Sequence, residues 1–459
     1  MNKENEIVNN NNENTPQPTF AVCTLGCKVN QEEGVALCNV FKEHNWRQVA
    51  FEDAADVYIV NSCTVTHLAD RKSRQMLRRA VRTNPTALVV ATGCYAQVGK
   101  ADIAKIEGVD LIVGANDRHR LFAYVQKHTG RKYEVPVVYV TETAKAKSFR
   151  NMGNINNDTQ RERAFLKIED GCSQFCSYCI IPYARGPVRS RPLADIAAEA
   201  RELVGKGYKE LVLTGIHTGA YGTDLQDGVD LAAVAESLAA IPGLHRLRLG
   251  SVEPQEVTDR LIDAAAEYPN ICPHFHIPLQ ACHNDIIRAM NRHYTVEFYS
   301  ELLAKIRRKI DNVAITTDLI VGFPGETPQI FAKSLENIAR LEFADMHIFP
   351  YSRRSGTPAA ALPNQIDPQV KTAEVKEVSA LRDKMKADFR QRQLGRKLEI
   401  LTEQKIALDG ENYICGHSPN YLPLAVRLDD EAAENVLAGE IYNLKIYGMK
   451  NGYLLGKII

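Results

Sequence analysis

Apolar residues fall into three successive rhythms along this chain of 459 residues. Over residues 19–130, short unbroken apolar runs alternate with stretches whose apolar positions recur every three or four residues. The runs predict strands at Phe20–Leu25, Val57–Asn61, Leu88–Ala91 and Leu111–Val113. The periodic stretches predict helices at Gln31–His44, Ala69–Thr83 and Arg118–His128. Alternating strands and helices read as a parallel sheet covered by helices. Residues 131–162 lose this rhythm, and the polar run NMGNINNDTQRER marks them as a linker.

The alternation resumes at residue 163. Strands are predicted at Phe165–Ile168, Glu210–Leu213, Arg246–Leu249, His274–Ile277, Ala314–Ile320 and Met346–Phe349. Helices fill the gaps, as at Leu193–Gly205 and Thr295–Ile310. Six βα-like units in series predict a partial (β/α)6 barrel. A basic helix, Pro368–Gly395, closes this block at about residue 393. Residues 394–459 then break into five short strands, the pattern of a small β-barrel akin to the oligonucleotide-binding fold. The fold class is therefore α/β with a β-barrel appended. The polar, Asn-rich residues 1–18 read as a disordered tail.

Bulk properties narrow the setting. The formal net charge is zero, so no global field points to a polyanion. No apolar leader precedes the first strand, and no apolar run approaches the roughly 18 residues of a membrane span. Eleven cysteines in such a chain point to metal binding or catalysis in a reducing cytoplasm rather than to disulfides.

Three of these cysteines share one context. The runs AVCTLGC, VYIVNSC and LVVATGC end at Cys27, Cys63 and Cys94, each just past a predicted strand. Ligands collect at the carboxyl ends of parallel strands. If the strands are neighbours, three thiolates converge there, able to hold a zinc ion with a fourth ligand or an iron–sulfur cluster with one open iron. The alternative is three unrelated core cysteines. Glycine before Cys27 and Cys94 allows close backbone approach to a bulky group. Cys23 and Cys38, by contrast, sit at packing positions, as do Cys272 and Cys282. Between Arg71 and Ala101 the chain carries seven basic residues and no acid, either a solvated helix face or a polyanion surface.

The most specific stretch is DGCSQFCSYCIIPYARGPVRSR. Cys172, Cys176 and Cys179 form a C-x3-C-x2-C loop after the first barrel strand. Such a loop wraps three corners of a cubane cluster and leaves the fourth iron free for a substrate chelate. Zinc would need a fourth ligand, and none follows at finger spacing. Arg185, Arg189 and Arg191 follow with no acid before Asp195.

This loop, placed after the first strand of a barrel, resembles that of the radical S-adenosylmethionine enzymes. TLGCKVNQEE, NSCTVT and ATGCYAQ resemble the N-terminal domain of the methylthiotransferases among them. RGPVRSRP, LTGIHTGAYG, SVEP, PLQACHNDIIRAMNRHYT, DLIVGFPGET and FPYSRRSGTPAA resemble their radical domain, and the last strands resemble an RNA-binding TRAM barrel. The resemblance implies two [4Fe–4S] clusters. Cys27, Cys63 and Cys94 would hold an auxiliary cluster that supplies or carries sulfur. Cys172, Cys176 and Cys179 would hold the cluster that cleaves S-adenosylmethionine to a 5′-deoxyadenosyl radical. One cofactor molecule would methylate the sulfur; a second would activate an unreactive C–H bond, which acid–base residues alone cannot do. Tyr178, Gly215, Glu253 and Gln280 are the implied cofactor contacts. Gly219 and Gly222 share the loop of Gly215, and Arg292 is read either as a carboxylate or phosphate partner or as a surface ion pair.

Three branches of the family differ in target: isopentenyladenosine in tRNA, threonylcarbamoyladenosine in tRNA, or an aspartate of a ribosomal protein. TLGCKVNQ is most similar to the threonylcarbamoyladenosine branch, which implies position 37 in the anticodon stem-loop of tRNA as substrate. A low-potential one-electron donor such as flavodoxin or ferredoxin, a monomeric state and no membrane association complete the expectation. Residues 371–397 carry nine basic and four acidic residues, favouring RNA, whereas 394–459 carry seven and nine, which does not. Tyr413, Tyr421, Tyr442, Tyr447 and Tyr453 read as base-stacking platforms or, for most of them, barrel core.

Overall fold

The computed structural model describes residues 17–150, 162–428 and 436–459. The expected tail lies outside the described residues up to residue 16. Gln17 and Pro18 are already tied down, Gln17 Nε2 to Asn45 O at 2.9 Å and Pro18 O to the Arg47 amide at 2.9 Å.

Thr19–Thr24 (β1), Arg47–Gln48 (β2), Val57–Ser62 (β3), Leu88–Gly93 (β4), Leu111–Val113 (β5) and Val137–Tyr139 (β6) form one parallel sheet, ordered β2-β1-β3-β4-β5-β6. Every residue of β3 and β4 is buried, as expected of strands covered on both faces. Alternate residues serve opposite cores. Tyr58, Val60, Val89 and Ala91 pack on one side, and Val57, Ile59, Leu88 and Val90 on the other. Strand β6 corrects the linker expected over 131–162. Three residues are too few to show a period, yet they extend the sheet beside β5. The rest of that linker, residues 151–161, lies outside the described residues. Helix α1 spans Lys28–Glu43, starting three residues earlier than its apolar period indicates, so Cys27 is its capping residue. Helix α2, His67–Thr83, is capped by Thr66, whose Oγ1 accepts from Ala69 N.

The central block opens with Arg163–Lys167 (β7) and a short antiparallel pair, Glu169–Asp170 (β8) with Arg189–Ser190 (β9). Glu210–Thr214 (β10), Arg246–Arg248 (β11), His274–His276 (β12), Ala314–Val321 (β13) and Asp345–Pro350 (β14) follow. The parallel sheets β7-β10-β11 and β12-β13-β14 meet through bridges Leu247–Ile271 and Ser251–His276, giving a six-stranded partial barrel. Ala164, Leu166, Leu211, Leu213 and Leu247 join the helix-facing core. The alternate positions, among them Lys167, Glu210, Arg248, His276 and Asp318, face the hollow. This barrel is polar inside.

Lys397–Leu408 (β15), Glu411–His417 (β16), Pro423–Arg427 (β17), Ile441–Lys450 (β18) and Tyr453–Ile458 (β19) close a barrel ordered β15-β16-β17-β19-β18. Tyr413 is buried there and Tyr442 and Tyr453 pack partly into it, while Tyr447 is half exposed. Tyr421 points out of this barrel's core and toward the central block. Its ring stacks on His274 of β12 at 5.1 Å and on His417 at 4.9 Å. The basic helix Pro368–Gln391 packs along β14, and part of its charge is spent within the chain, in the pairs Lys386–Asp345 and, just past its end, Arg392–Glu342 at 3.7 Å.

Glu33 of α1 joins the first block to the second. It is 3% exposed and receives Lys167 Nζ at 2.7 Å, Arg185 Nη1 at 2.7 Å, Arg185 Nη2 at 2.8 Å, and Arg118. Burial raises its carboxyl, but Arg118, Arg185 and Lys167 outweigh burial and hold it well below the usual carboxylate range. A second clamp lies nearby. Arg354 Nη1 and Nη2 reach Asp70 Oδ2 at 2.5 Å and Thr64 Oγ1 at 2.7 Å. Glu33→Gln leaves Lys167 and Arg185 facing Asp170 alone and takes the carboxylate from the buried Arg118, and removing one partner from such a site costs about 3–5 kcal/mol. We expect calorimetry of the variant to show a lowered midpoint. The native contribution is complete above the unfolded carboxyl value, roughly pH 4.3, and is lost as pH falls through the lower folded value. An unchanged thermogram would show that Glu33 does not hold the blocks together.

Candidate functional site

Strands β1, β3 and β4 are neighbours in the sheet, and each runs into one of the three N-terminal cysteines. Cys27 caps α1 and is exposed; Cys63 follows β3 and Cys94 opens the helix Cys94–Val98 (α3), both buried. The two glycines are required by the neighbouring strand end. Gly26 has φ 101°, and a Cβ there would lie 2.6 Å from Cys63 Sγ. Gly93 has φ 93°, and a Cβ there would lie 2.4 Å from Ser62 O. Backbone approach of this kind, closed to any side chain, draws the three cysteine-bearing ends together. Asn30 completes the fastening, its Nδ2 bonding Leu25 O at 2.6 Å and Asn61 O at 3.2 Å.

Burial pushes the Cys63 thiol up to about 11 and raises Cys27 against the pull of Arg185. Such thiols ionise when a metal ion supplies the compensating charge. Arg185 stands over the trio, its Nε 3.1 Å from Cys94 Sγ. Buried polar atoms without a protein partner, Asn61 Oδ1 and Thr92 Oγ1, lie at the same strand ends.

The second trio sits in the loop between β8 and β9. Phe175 takes φ 47°, turning the chain between Cys172 and Cys176. Cys172 Sγ lies 3.6 Å from His217 Nδ1, and Cys176 Sγ lies 3.6 Å from Arg292 Nη1. Burial pushes Cys179 up to about 12. The loops of the two trios are linked through two consecutive residues: Arg185 reaches Cys94, and Gly186 O accepts from the Cys172 amide at 2.9 Å. Among the described residues, the His/Cys/Asp/Glu trio with ligand atoms all within 4.8 Å of one another is His276, Asp318 and His347, not either cysteine set. A tetrahedral zinc with Zn–S near 2.3 Å draws its sulfurs closer than that. The wider spacing suits a cubane with one thiolate per iron.

The implied cofactor contacts divide. Glu253 and Tyr178 gather at the cluster loop around Arg292. That arginine is not a surface residue, being buried against Glu253, with Nη1–Oε1 at 3.1 Å. Burial raises the Tyr178 hydroxyl well above its usual range, against the pull of Arg292. Gly215 lets its turn wrap the Glu169 carboxylate: a Cβ there would lie 2.8 Å from Glu169 Oε2, which the His217 amide approaches at 2.7 Å. Gln280, at φ 60°, joins β13 through its backbone, to Asp318 O and Ile320 N, each at 2.8 Å.

Sequence reasoning passes over Glu169, His217 and Glu256. His217 Nε2 lies 2.8 Å from Glu256 Oε1. Burial pushes Glu169 up to about 8, leaving it mostly neutral at pH 7. Glu169 Oε1, Thr214 Oγ1 and Glu256 Oε2 are buried without a protein partner beside Cys172. These atoms fit a polar cofactor at the mouth of the barrel. The turn LTGIHTGAYG is the available signal, since its His217 lies two residues past Gly215.

Residues 19–114 match the uncharacterized protein family UPF0004, and residues 166–338 match the radical SAM superfamily. The chain is 39% identical to the threonylcarbamoyladenosine tRNA methylthiotransferase MtaB of Bacillus subtilis, over 95% of this chain and 94% of that protein. It is 34% identical to the protein of the same name from Thermotoga maritima, over 84% and 86%. It is 32% identical to a tRNA-2-methylthio-N(6)-dimethylallyladenosine synthase of Clostridium perfringens, over 97% and 99%. Among solved structures, the radical S-adenosylmethionine methyltransferase TsrM from Kitasatospora setae shares the fold, with a TM-score of 0.53 and 15% identity over 75% of this chain and 77% of that one.

Two separate trios predict about eight irons per chain after anaerobic reconstitution. Replacing Cys172, Cys176 and Cys179 by alanine should halve the iron, and replacing Cys27, Cys63 and Cys94 should remove the other half. Loss of all iron from either variant, or of none, would contradict two independent sites.

Proposed function

The chain belongs to the radical S-adenosylmethionine methylthiotransferases, and we propose that it acts on N6-threonylcarbamoyladenosine at position 37 of tRNA, converting it to the 2-methylthio derivative. The observation that carries this reading is the linkage of the two cysteine loops. Cys94 and Cys172 are held by adjacent residues, Arg185 and Gly186. A substrate base held between the loops can thus face a radical made at one trio and a sulfur carried by the other. The substrate assignment rests on the run TLGCKVNQ and on the likeness to threonylcarbamoyladenosine tRNA methylthiotransferases at 34–39% identity.

In this reading Cys172, Cys176 and Cys179 hold one [4Fe–4S] cluster, and Cys27, Cys63 and Cys94 hold the other. Bound S-adenosylmethionine supplies a methyl group in one use and a carbon-centred radical in another. The protein's own residues position and insulate. Arg185 balances thiolate charge at Cys94, and Arg292 does so at Cys176, itself anchored by Glu253. Glu169, Thr214, His217 and Glu256 offer hydrogen-bonding atoms to the polar end of the cofactor. Glu169, mostly neutral at pH 7, can donate as well as accept. The outer face of α2, with Arg71, Lys72, Arg78 and Arg82 exposed, is the surface we assign to the tRNA backbone. A low-potential donor such as flavodoxin or ferredoxin would supply electrons. We place the enzyme in the cytoplasm as a monomer, since one chain supplies both trios. No described helix is long and apolar enough to cross a membrane.

Mass spectrometry of digested tRNA, from cells with and without the gene, tests this. Disappearance of the 2-methylthio form with accumulation of threonylcarbamoyladenosine is the expected result. A change in the isopentenyl nucleoside instead would move the enzyme to that branch. No change in any tRNA nucleoside would point to a protein target.

A further inference from the structure

The hollow of the central barrel holds a cation that neither cysteine trio engages. Lys28 follows Cys27 directly and is exposed. Its ammonium stands 5.5 Å from the ring centre of Phe165 on β7 and 6.0 Å from that of Tyr421. Three elements distant in sequence thus meet around one charge: the start of α1, the first barrel strand, and the loop before β17.

The neighbouring cations are already committed. Arg248, 4.7 Å from the Tyr421 ring centre, donates to Glu210 Oε1 at 2.7 Å and to Pro419 O at 2.8 Å. Arg163, 5.6 Å from the same ring, binds Glu403 at 2.8 Å. Lys28 has no carboxylate within ion-pair distance among the described residues; two aromatic faces hold it instead. Aromatic faces orient an ammonium without neutralising it. His274, stacked on Tyr421, adds no negative charge. Burial first, then Arg248, His276 and Lys28, hold it neutral, well below its usual range.

We propose that Lys28 binds the carboxylate of the threonyl substituent on the substrate base, in a pocket floored by Tyr421 and walled by Phe165. This rests on the substrate reading above. Its position supports it. The base carbon that receives sulfur must reach the trio containing Cys27, and Lys28 is the next residue, its Cα about 3.8 Å away. C6, which carries the N6 substituent, and C2 flank N1 on the same edge of the base. A side chain springing from the cysteine loop into the hollow therefore meets that substituent while C2 faces the sulfur. The other anion available is a backbone phosphate of the RNA, and the experiment separates the two.

Anaerobically reconstituted enzyme is assayed on anticodon stem-loop RNA carrying threonylcarbamoyladenosine, and on the same RNA with the carboxylate masked as its methyl ester. For the native enzyme the ester should lower kcat/KM by about 10–100-fold, the scale of a lost charged hydrogen bond. Lys28→Gln should show that loss on the acid and no further loss on the ester. Lys28→Arg should restore discrimination. Equal loss on both substrates would assign Lys28 to a phosphate and overturn the proposal, as would a native enzyme indifferent to esterification. Iron content of each variant reports whether the Cys27 loop is intact. Native enzyme inactive on the acid but active on a dimethylallyl stem-loop would overturn the substrate reading and this inference with it.

Discussion

The buried carboxylate of Glu33 is the contact on which the rest of the arrangement depends. It is one negative charge shared among Arg118 from its own block and Lys167 and Arg185 from the barrel. No hydrophobic contact could fix orientation in the same way, because charge pairing in a dry site tolerates little misplacement. Arg185 carries the consequence onward. The guanidinium that grips Glu33 also touches Cys94 and precedes the glycine that receives the Cys172 amide. Docking of two blocks and apposition of two thiol sites are thus one event. The cations around Glu33 outnumber the acids, and the surplus falls beside thiols that become anionic when they bind metal.

The polar hollow follows from the same division of labour. Ordinary (β/α) barrels fill the interior with branched apolar side chains. Here the lumen positions of β7, β10, β11, β12 and β13 carry mostly charge or hydrogen-bonding groups, with Phe165 and Val212 as apolar exceptions, and the other apolar residues turn outward to the helices. The strands therefore keep their alternation while reversing its use. The small β-barrel shores up the hollow from one end, through Arg246–Glu399 at 2.7 Å, Arg163–Glu403 and the inserted Tyr421 ring.

Much of this arrangement is legible in the sequence. The three cysteines at strand ends are readable because parallel strands deliver their C-terminal residues to one edge. The C-x3-C-x2-C loop is readable because its spacing is local. Glu33 is not, because its partners lie 85, 134 and 152 residues away and leave no periodic trace. Strand β6 is too short to show alternation. The glycines at 26 and 93 suggest ligand approach, whereas their Cβ positions are filled by the adjoining strand end; a one-dimensional pattern shows that space is needed, not what fills it. Arg292 and Tyr421 escape for a related reason, since their environments are built by distant segments. The basic surplus of Pro368–Gln391 suggests RNA affinity, but part of the charge on and just past that helix is bound to Asp345 and Glu342.

The central claim is that one ion network apposes the two thiol trios. Electron paramagnetic resonance of the reconstituted enzyme, with both clusters reduced, tests it most directly. Apposed clusters should give a spectrum broadened by mutual spin coupling, and Glu33→Gln should collapse it toward the sum of two isolated clusters. A native spectrum that already equals the sum of the two single-trio variants would contradict the account.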